Sequence, residues 1–438
     1  MKRNGDIIIG YELNDSYAQI SYMSVGDAEP ETATAVLGSE MFNIPVALYK
    51  KPNSNSWLYG KEALKSAEEF SADDGADLPI ITRLLDLAVT GTQLNINDEP
   101  IDPIALLALF IKRSLSVLTI QVNMNNIAAF MFTVPALTPR IVAVMDQVAE
   151  TLDFKPMCIY LQSYRESIYQ YVIHQAEELY KHQVLLFDYT SHMKMYRLEA
   201  NRRTTPIVVF INKENYPSLY YRTEPTDKMK QEWDEQFLTI AEKAIGTNVI
   251  SSVFLIGEGF KEEWAYKSLS HLCRNRRVFR GNNLYSKGAC YGALEKYQPS
   301  QISETMIFLG DDKLKANIGI RLLRNGQESY YAIVDAGVNW HECEKNFDVI
   351  LDERNELILI VTSLTGGIVS ERIIALEGLP DRPPRTTRIN IDIRFTSAEI
   401  ALLTATDLGF GDIFPAGGLR WVREISMKSY SKSAEDAD

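Results

Sequence analysis

Ile7-Ile8-Ile9-Gly10-Tyr11-Glu12-Leu13-Asn14-Asp15-Ser16-Tyr17-Ala18-Gln19-Ile20-Ser21-Tyr22 reads as two short strands joined by a polar turn. β-Branched and aromatic residues suit the pleated surface of a strand. Asn, Asp and Ser suit a reversal, because their side chains can bond the local backbone. The device recurs at Val184-Leu185-Leu186-Phe187-Asp188, an apolar run ending in a carboxylate and followed by the polar Tyr189-Thr190-Ser191-His192. Between and around these two stretches, strands and helices alternate. A strand over Ile44 to Tyr49 is followed by the turn Pro52-Asn53-Ser54-Asn55-Ser56 and a helix from Lys61 to Phe70. Asp102-Pro103 opens a helix with apolar residues at Ile104, Leu107, Phe110, Ile111, Leu115 and Leu118, since Asp caps orphan amides and Pro suits the first helical position. A strand from Ile127 to Val134 precedes a helix capped at Thr138-Pro139, and helical pattern runs from Ser163 to Lys181. Pro206 to Ile211 is strand-like, Asp227 to Ile245 helical, and Ser252 to Ile256 a strand that stops at Gly257-Glu258-Gly259 before a further helix. The alternation predicts an α/β domain over residues 1–297.

From about residue 304 the pattern is almost all strand. Arg324-Asn325-Gly326-Gln327 is a hairpin signal between Ile318–Leu323 and Tyr330–Val334. Ile389, Ile391, Ile393 and Phe395 alternate with Asn390, Asp392 and Arg394, which gives one buried and one wet face. The expectation is a β-sandwich over 304–426, with a disordered acidic tail over 427–438.

The chain has 438 residues, of which 46% are hydrophobic and 24% charged. That composition excludes collagen-like and largely disordered chains. Lys+Arg is 45 against Asp+Glu 58, for a net charge of −13, so nucleic acid and anionic membrane are poor partners. The apolar run at Ile7–Ile9 is too short for a signal peptide, and Ser114 to Pro139 carries Asn123, Asn125, Asn126 and two prolines, unlike a spanning helix. The four cysteines stand far apart without a CxxC, as in a reduced cytoplasmic protein.

Taken in order, these features resemble the seventy-kilodalton heat-shock chaperones, members of the actin and sugar-kinase superfamily. Ile9 to Ser16 stands at the place of that family's first phosphate loop, and Leu186 to His192 at the second. Asn43 to Val46 with Tyr59 to Ala63, and Phe132-Thr133-Val134-Pro135-Ala136, are similar to its conserved segments. Phe254 to Gly259 lies where its adenosine motif lies, with Ser286 to Ala293 like the segment after it. Ala375 to Pro380 and Ile389 to Thr406 are similar to its peptide-binding sandwich. The resemblance implies a duplicated, ribonuclease-H-like, actin-like ATPase domain followed by an all-β sandwich. With 12 residues after Ser426, the family's helical lid is expected to be missing.

The resemblance also implies ATP with magnesium, cradled by Glu12, Asn14, Asp15 and Ser16, by Asp188, Thr190 and Ser191, and by Gly257 and Gly259. The residues present depart from the family's glycines, which allow several amides to point at an anion. Asn14-Asp15-Ser16 replaces one cradle and Thr190-Ser191-His192 the other; Gln162-Ser163-Tyr164 replaces a catalytic segment. A carboxylate about 5 Å from a phosphate charge is repelled by roughly 3 kcal/mol at an effective dielectric near 20, or about a hundredfold in affinity. Asp15 and Glu258 would act so, and β-branched Thr190 would resist a left-handed turn. Glu12 and Asp188 have a plainer reading as strand terminators that accept hydrogen bonds, and Gly257 and Gly259 as close-packing sites. His174 and His182 lack a third ligand for a metal. Arg274, Arg276, Arg277 and Arg280 read as a solvated rim, and Tyr160, Tyr164, Tyr169, Tyr171 and Tyr180 as helix packing. The expected function is a chaperone-like protein-interaction module with a non-hydrolysing cleft and no catalytic residue, its partner a protein or extended peptide. Segments Gly310 to Asn317 and Asp335 to His341 are the places to hold that peptide. The alternatives are an active ATP-dependent chaperone and an actin-like scaffold or filament.

Overall fold

The computed structural model describes residues 5–34, 41–51, 54, 56–74, 80–96, 99–119, 122–152, 158–324, 326–352, 354–364 and 369–427. The turn residues Pro52, Asn53, Asn55 and Asn325 and the tail from 428 lie outside them. The chain divides into two units, 1–307 and 308–438, close to the expected boundary.

In the first unit, β1 (Ile7–Leu13) and β2 (Tyr17–Ser24) form the hairpin read from the sequence. Helix α1 (Leu84–Thr90) follows, and β3 (Ile127–Val134) then lies parallel to β1, with β4 (Ile159–Ser163) parallel to β3. Helix α2 (Tyr164–Ile173) leads on to a second sheet. There β5 (Gln183–Asp188) pairs antiparallel with β6 (His192–Asn201), which pairs with β7 (Ile207–Tyr220). Helix α3 (Asp227–Ile245) precedes β8 (Ile250–Ile256), parallel to β5. Helix α4 (Tyr266–Leu272) precedes β9 (Arg277–Arg280), parallel to β8, and helix α5 (Leu284–Tyr297) follows. Each sheet thus starts with a hairpin whose first strand gains parallel neighbours on its other side, and each set ends in a helix. Glu12 and Asp188 occupy matching places at the ends of β1 and β5.

Local chemistry accounts for the helix starts. Asp102, Thr138 and Thr226 each accept a backbone amide from the first turn they precede, removing orphan donors. The helical pattern expected to reach Lys181 breaks at Ile173, with a short 3-10 turn at Glu177–Leu179 beyond it.

Helix α5 is the hinge of the packing. A Cβ on Gly288 would collide with the Ser167 carbonyl of α2, and one on Gly10 with the α5 backbone at Ser286 and Cys290. Backbones therefore touch where a methyl group would not fit. Gly288→Ala gains roughly 1 kcal/mol of helix propensity, yet overpacking costs about 1–3 kcal/mol, sometimes more. With a backbone as the obstacle, the net expectation is lower stability, checked by urea unfolding.

The second unit holds β10 (Ala316–Arg324), β11 (Gln327–Val334), β12 (Glu344–Leu351), β13 (Glu356–Ser363), β14 (Val369–Ala375), β15 (Thr387–Ser397), β16 (Ile400–Gly409) and β17 (Arg420–Ser426). They form two antiparallel sheets, ordered β11-β10-β13-β14 and β12-β15-β16-β17. Ile389, Ile391, Ile393 and Phe395 are buried as the alternation requires. Rings from the two sheets meet at Tyr331 and Phe347, 6.4 Å apart.

Candidate functional site: a tyrosine-filled cleft

The β1–β2 turn is closed on itself. Asn14 Oδ1 accepts the amides of Ser16 (2.8 Å) and Tyr17 (3.0 Å), while its Nδ2 donates to the Tyr164 hydroxyl at 3.0 Å. Tyr164, the first residue of α2, donates to Glu12 Oε1 at 2.9 Å. The β5–β6 turn is likewise occupied. Asp188 Oδ1 accepts from the Thr190 amide at 3.1 Å and hydroxyl at 2.6 Å. Its Oδ2 accepts from the Tyr285 hydroxyl at 3.1 Å, with Lys194 Nζ at 3.7 Å. The rings of Tyr164 and Tyr285 stack at 3.9 Å with 17° between planes. The two strand-end carboxylates are therefore bridged by a pair of phenols.

Burial drives the electrostatics. Glu12 is fully buried, and desolvation pushes its carboxyl up to about 8; the Asp188 charge adds to this, and the Tyr164 and Tyr17 hydroxyls pull it part of the way back. At neutral pH Glu12 is mostly protonated, the state favoured away from water. Tyr17, Tyr164 and Tyr285 are raised well above an ordinary phenol, first by burial and then by the acidic groups beside them.

Beside this bridge, Tyr17, Gln19, Asn43, Thr190, Glu258 and Tyr285 line a cavity of about 10 Å³, room for roughly one water. Polar bonds close its mouth. Gln19 donates to the Asn282 carbonyl at 3.0 Å and also bonds Asn43, whose amide donates to Glu258 at 3.0 Å. Ser21 and Ser286 hydroxyls meet at 2.8 Å.

Several expectations need correction. Asp15 is not among the residues that line the cleft cavity: its Oδ1 accepts the Asp86 amide of α1 at 2.9 Å. Glu258 is neutralised by Lys261 at 2.8 Å. Thr190 is not among the described residues with positive φ, because its hydroxyl and amide tie back to Asp188 in a turn that needs none. Ser16 spends its amide on Asn14, and Ser191 accepts the Tyr221 amide. Gly257, at φ +102°, and Gly259 press on Tyr189, whose carbonyl carbon lies 2.6 Å from where a Gly257 Cβ would be. Their job here is to seat Tyr189 among Tyr221, Trp233, Phe260 and Trp264.

A magnesium-held triphosphate does not fit these residues. The carboxylates are engaged by phenols, the turn amides by side chains, and the cavity beside them has room for about one water. Tyr164, grouped with helix packing in the sequence, is part of the bridge; Tyr17 and Tyr285 carried no sequence signal beyond adjacency to the turn and to the Ser286–Ala293 segment.

The histidines part company. His174 meets Glu295 at 3.0 Å and stacks on Tyr291; burial alone would raise Glu295, but bonds from His174, Ser300 and Ser303 outweigh it and hold the carboxyl at about 2. Among the described residues no group of three His, Cys, Asp or Glu side chains could hold a metal. Of the four arginines, Arg276 donates to the carbonyls of His271 and Leu272 that end α4, and Arg280 to Phe260. In the sandwich, the two segments expected to hold a peptide bond each other: Leu314 donates to Val338 at 2.9 Å, Gly337 to Leu314 at 2.8 Å and Trp340 to Asp312 at 3.2 Å. Among the described residues no helix is long and apolar enough to cross a membrane.

Fold and cleft together define an α/β unit with two equivalent sheets and a filled interior, followed by a unit of two antiparallel sheets. The chain belongs to the family described as "Family of unknown function (DUF5716) C-terminal", which matches residues 29–311. Residues 313–427 match a domain of unknown function, DUF8552. No curated protein matches the chain.

Proposed function

We propose that this chain is a chaperone-like protein-interaction module built on an actin-like domain whose tyrosine-filled cleft neither holds nor hydrolyses ATP. The observation that carries the reading is the stacked Tyr164–Tyr285 pair joining Glu12 to Asp188 where nucleotide phosphates would sit. The duplicated strand order, with a carboxylate at the end of each first strand, supports descent from a two-lobed ATPase. The closed turns support loss of its chemistry. In this reading it works in the cytoplasm, and the partner is a protein or an extended peptide.

The edge strand β14 supplies the docking place. It pairs on one side with β13 and exposes Val369 (59%) and Ile373 (63%), and an open edge is a template for a further strand. Phosphate release from Mg-ATP should stay at the buffer rate, and titration should give no binding that depends on Asp188. Micromolar binding with steady hydrolysis abolished by Asp188→Ala would instead mark an active ATPase. On a peptide array, Ile373→Lys should remove most captured signal; an unchanged array would reject β14 as the docking edge.

A further inference from the structure

At the end of the second sheet opposite Asp188, the turn between β6 and β7 and the residues leading into β5 and β8 enclose an open cavity of about 440 Å³. Small-molecule sites span roughly 300–1,000 Å³. Lys181, His182, Arg202 and Arg203 line it, with Glu199 as the one carboxylate among its lining residues. Glu199 is drawn aside: Gln183 Nε2 donates to it at 2.8 Å, and Gln183 is itself held by Arg197 at 2.7 Å. The three cations Lys181, Arg202 and Arg203 make no ion pair among the described residues.

Placement of these cations is built into the backbone. Asn201 Oδ1 accepts the Arg203 amide at 3.1 Å, the Thr204 hydroxyl closes the same turn on the Asn201 carbonyl at 3.1 Å, and Arg202 donates to the Tyr180 carbonyl at 3.4 Å. In a chain of net charge −13, three unneutralised cations around one concavity gain from a bound anion. Val249, 63% exposed, adds an apolar wall.

We propose that this cavity binds a small molecule carrying a di- or triphosphate, with Arg202, Arg203 and Lys181 on the phosphates and Val249 and His182 against the remainder. The concave mouth and the acidic surroundings favour a small ligand over a nucleic acid or a membrane. The site is separate from the tyrosine-filled cleft and does not depend on that cleft's function.

Isothermal titration of the full chain with pyrophosphate and with ADP, both without magnesium, tests it. Binding of either is expected, weakening at least about tenfold in Arg202→Glu/Arg203→Glu, since charge-assisted bonds are lost and replaced by repulsion. Both positions are exposed, so far-ultraviolet circular dichroism and the urea midpoint should be unchanged in that variant. ADP tighter than pyrophosphate would identify a nucleotide as the source, and equal affinities a phosphorylated compound more generally. No heat from either at millimolar concentration overturns the proposal. So does binding that survives the double variant but is lost in Asp188→Ala.

Discussion

Wild-type protein should lose several kcal/mol of stability relative to Glu12→Gln as pH rises from 5 to 9. Glu12 titrates near 8 in the folded chain against an ordinary 4.5, because burial disfavours its anion. Below about 4.5 both folded and unfolded chains hold the proton, and the full contribution is present. Between 4.5 and 8 the folded chain keeps a proton that the unfolded chain has released, so stability falls with pH; above 8 the loss is complete. The span corresponds to roughly 4–5 kcal/mol at about 1.4 kcal/mol per pH unit. Gln has the shape of the protonated acid and no titration, so Glu12→Gln should match wild type near pH 5 and exceed it near pH 9. Urea unfolding of both proteins at pH 5, 7 and 9 measures the difference. Parallel stability curves would mean that Glu12 is ionised in the folded state, and the bridge to Tyr164 would then have to be redrawn.

Removing the Asp407 carboxylate should unfold much of the second unit. Asp407 is buried, and Arg382 grips it through two nitrogens, both at 2.8 Å. The amides of Gly409 (2.9 Å) and Gly417 (2.7 Å) complete its shell, and Arg382 also donates to the Pro415 carbonyl. One side chain thereby pins both ends of the loop between β16 and β17. Breaking a buried ion pair from one side costs about 3–5 kcal/mol, because the other charge stays buried without a partner. Asp407→Ala should therefore speed hydrogen exchange in β15 and β16 by about a hundredfold or more. Arg382→Leu/Asp407→Leu should cost less than the two single changes together. Arg382 above all, helped by the two amides, holds the Asp407 carboxyl at about 2, below its ordinary 3.8. Its stabilisation is present above pH 3.8 and is lost as pH falls through 2. Exchange rates unchanged in Asp407→Ala would show that the loop is held by other contacts.

The sequence was most readable where one local rule decides. Caps at Asp102 and Thr138 and the strict alternation from Ile389 to Phe395 each depend on residues a few positions apart. Strand β6, ten residues long, is second in length in its sheet only to β7, yet its signal in the sequence is weak. Met193 and Met195 are buried there on either side of Lys194, and methionine with long cations is a weak strand signal. Strand β4 carries a weak signal for a similar reason, since Gln162 and Ser163 are polar yet buried. In the cleft, the altered turns are legible in the sequence, but the partners of their side chains are not. Asp15, for one, bonds an amide of α1 that is 71 positions away in the chain.

By itself the sequence determined the alternation of strands and helices, the change to an almost all-strand pattern between residues 297 and 304, and the carboxylates placed at the ends of two matching strands. Each of these follows from neighbouring residues, whose propensities and periodicity act before any long-range contact forms. Tertiary structure alone decided what those carboxylates do. Tyr164 and Tyr285 are far apart in the chain, and Glu12 becomes a neutral acid only once folding stacks the two rings beside it and removes the water that would have kept it charged.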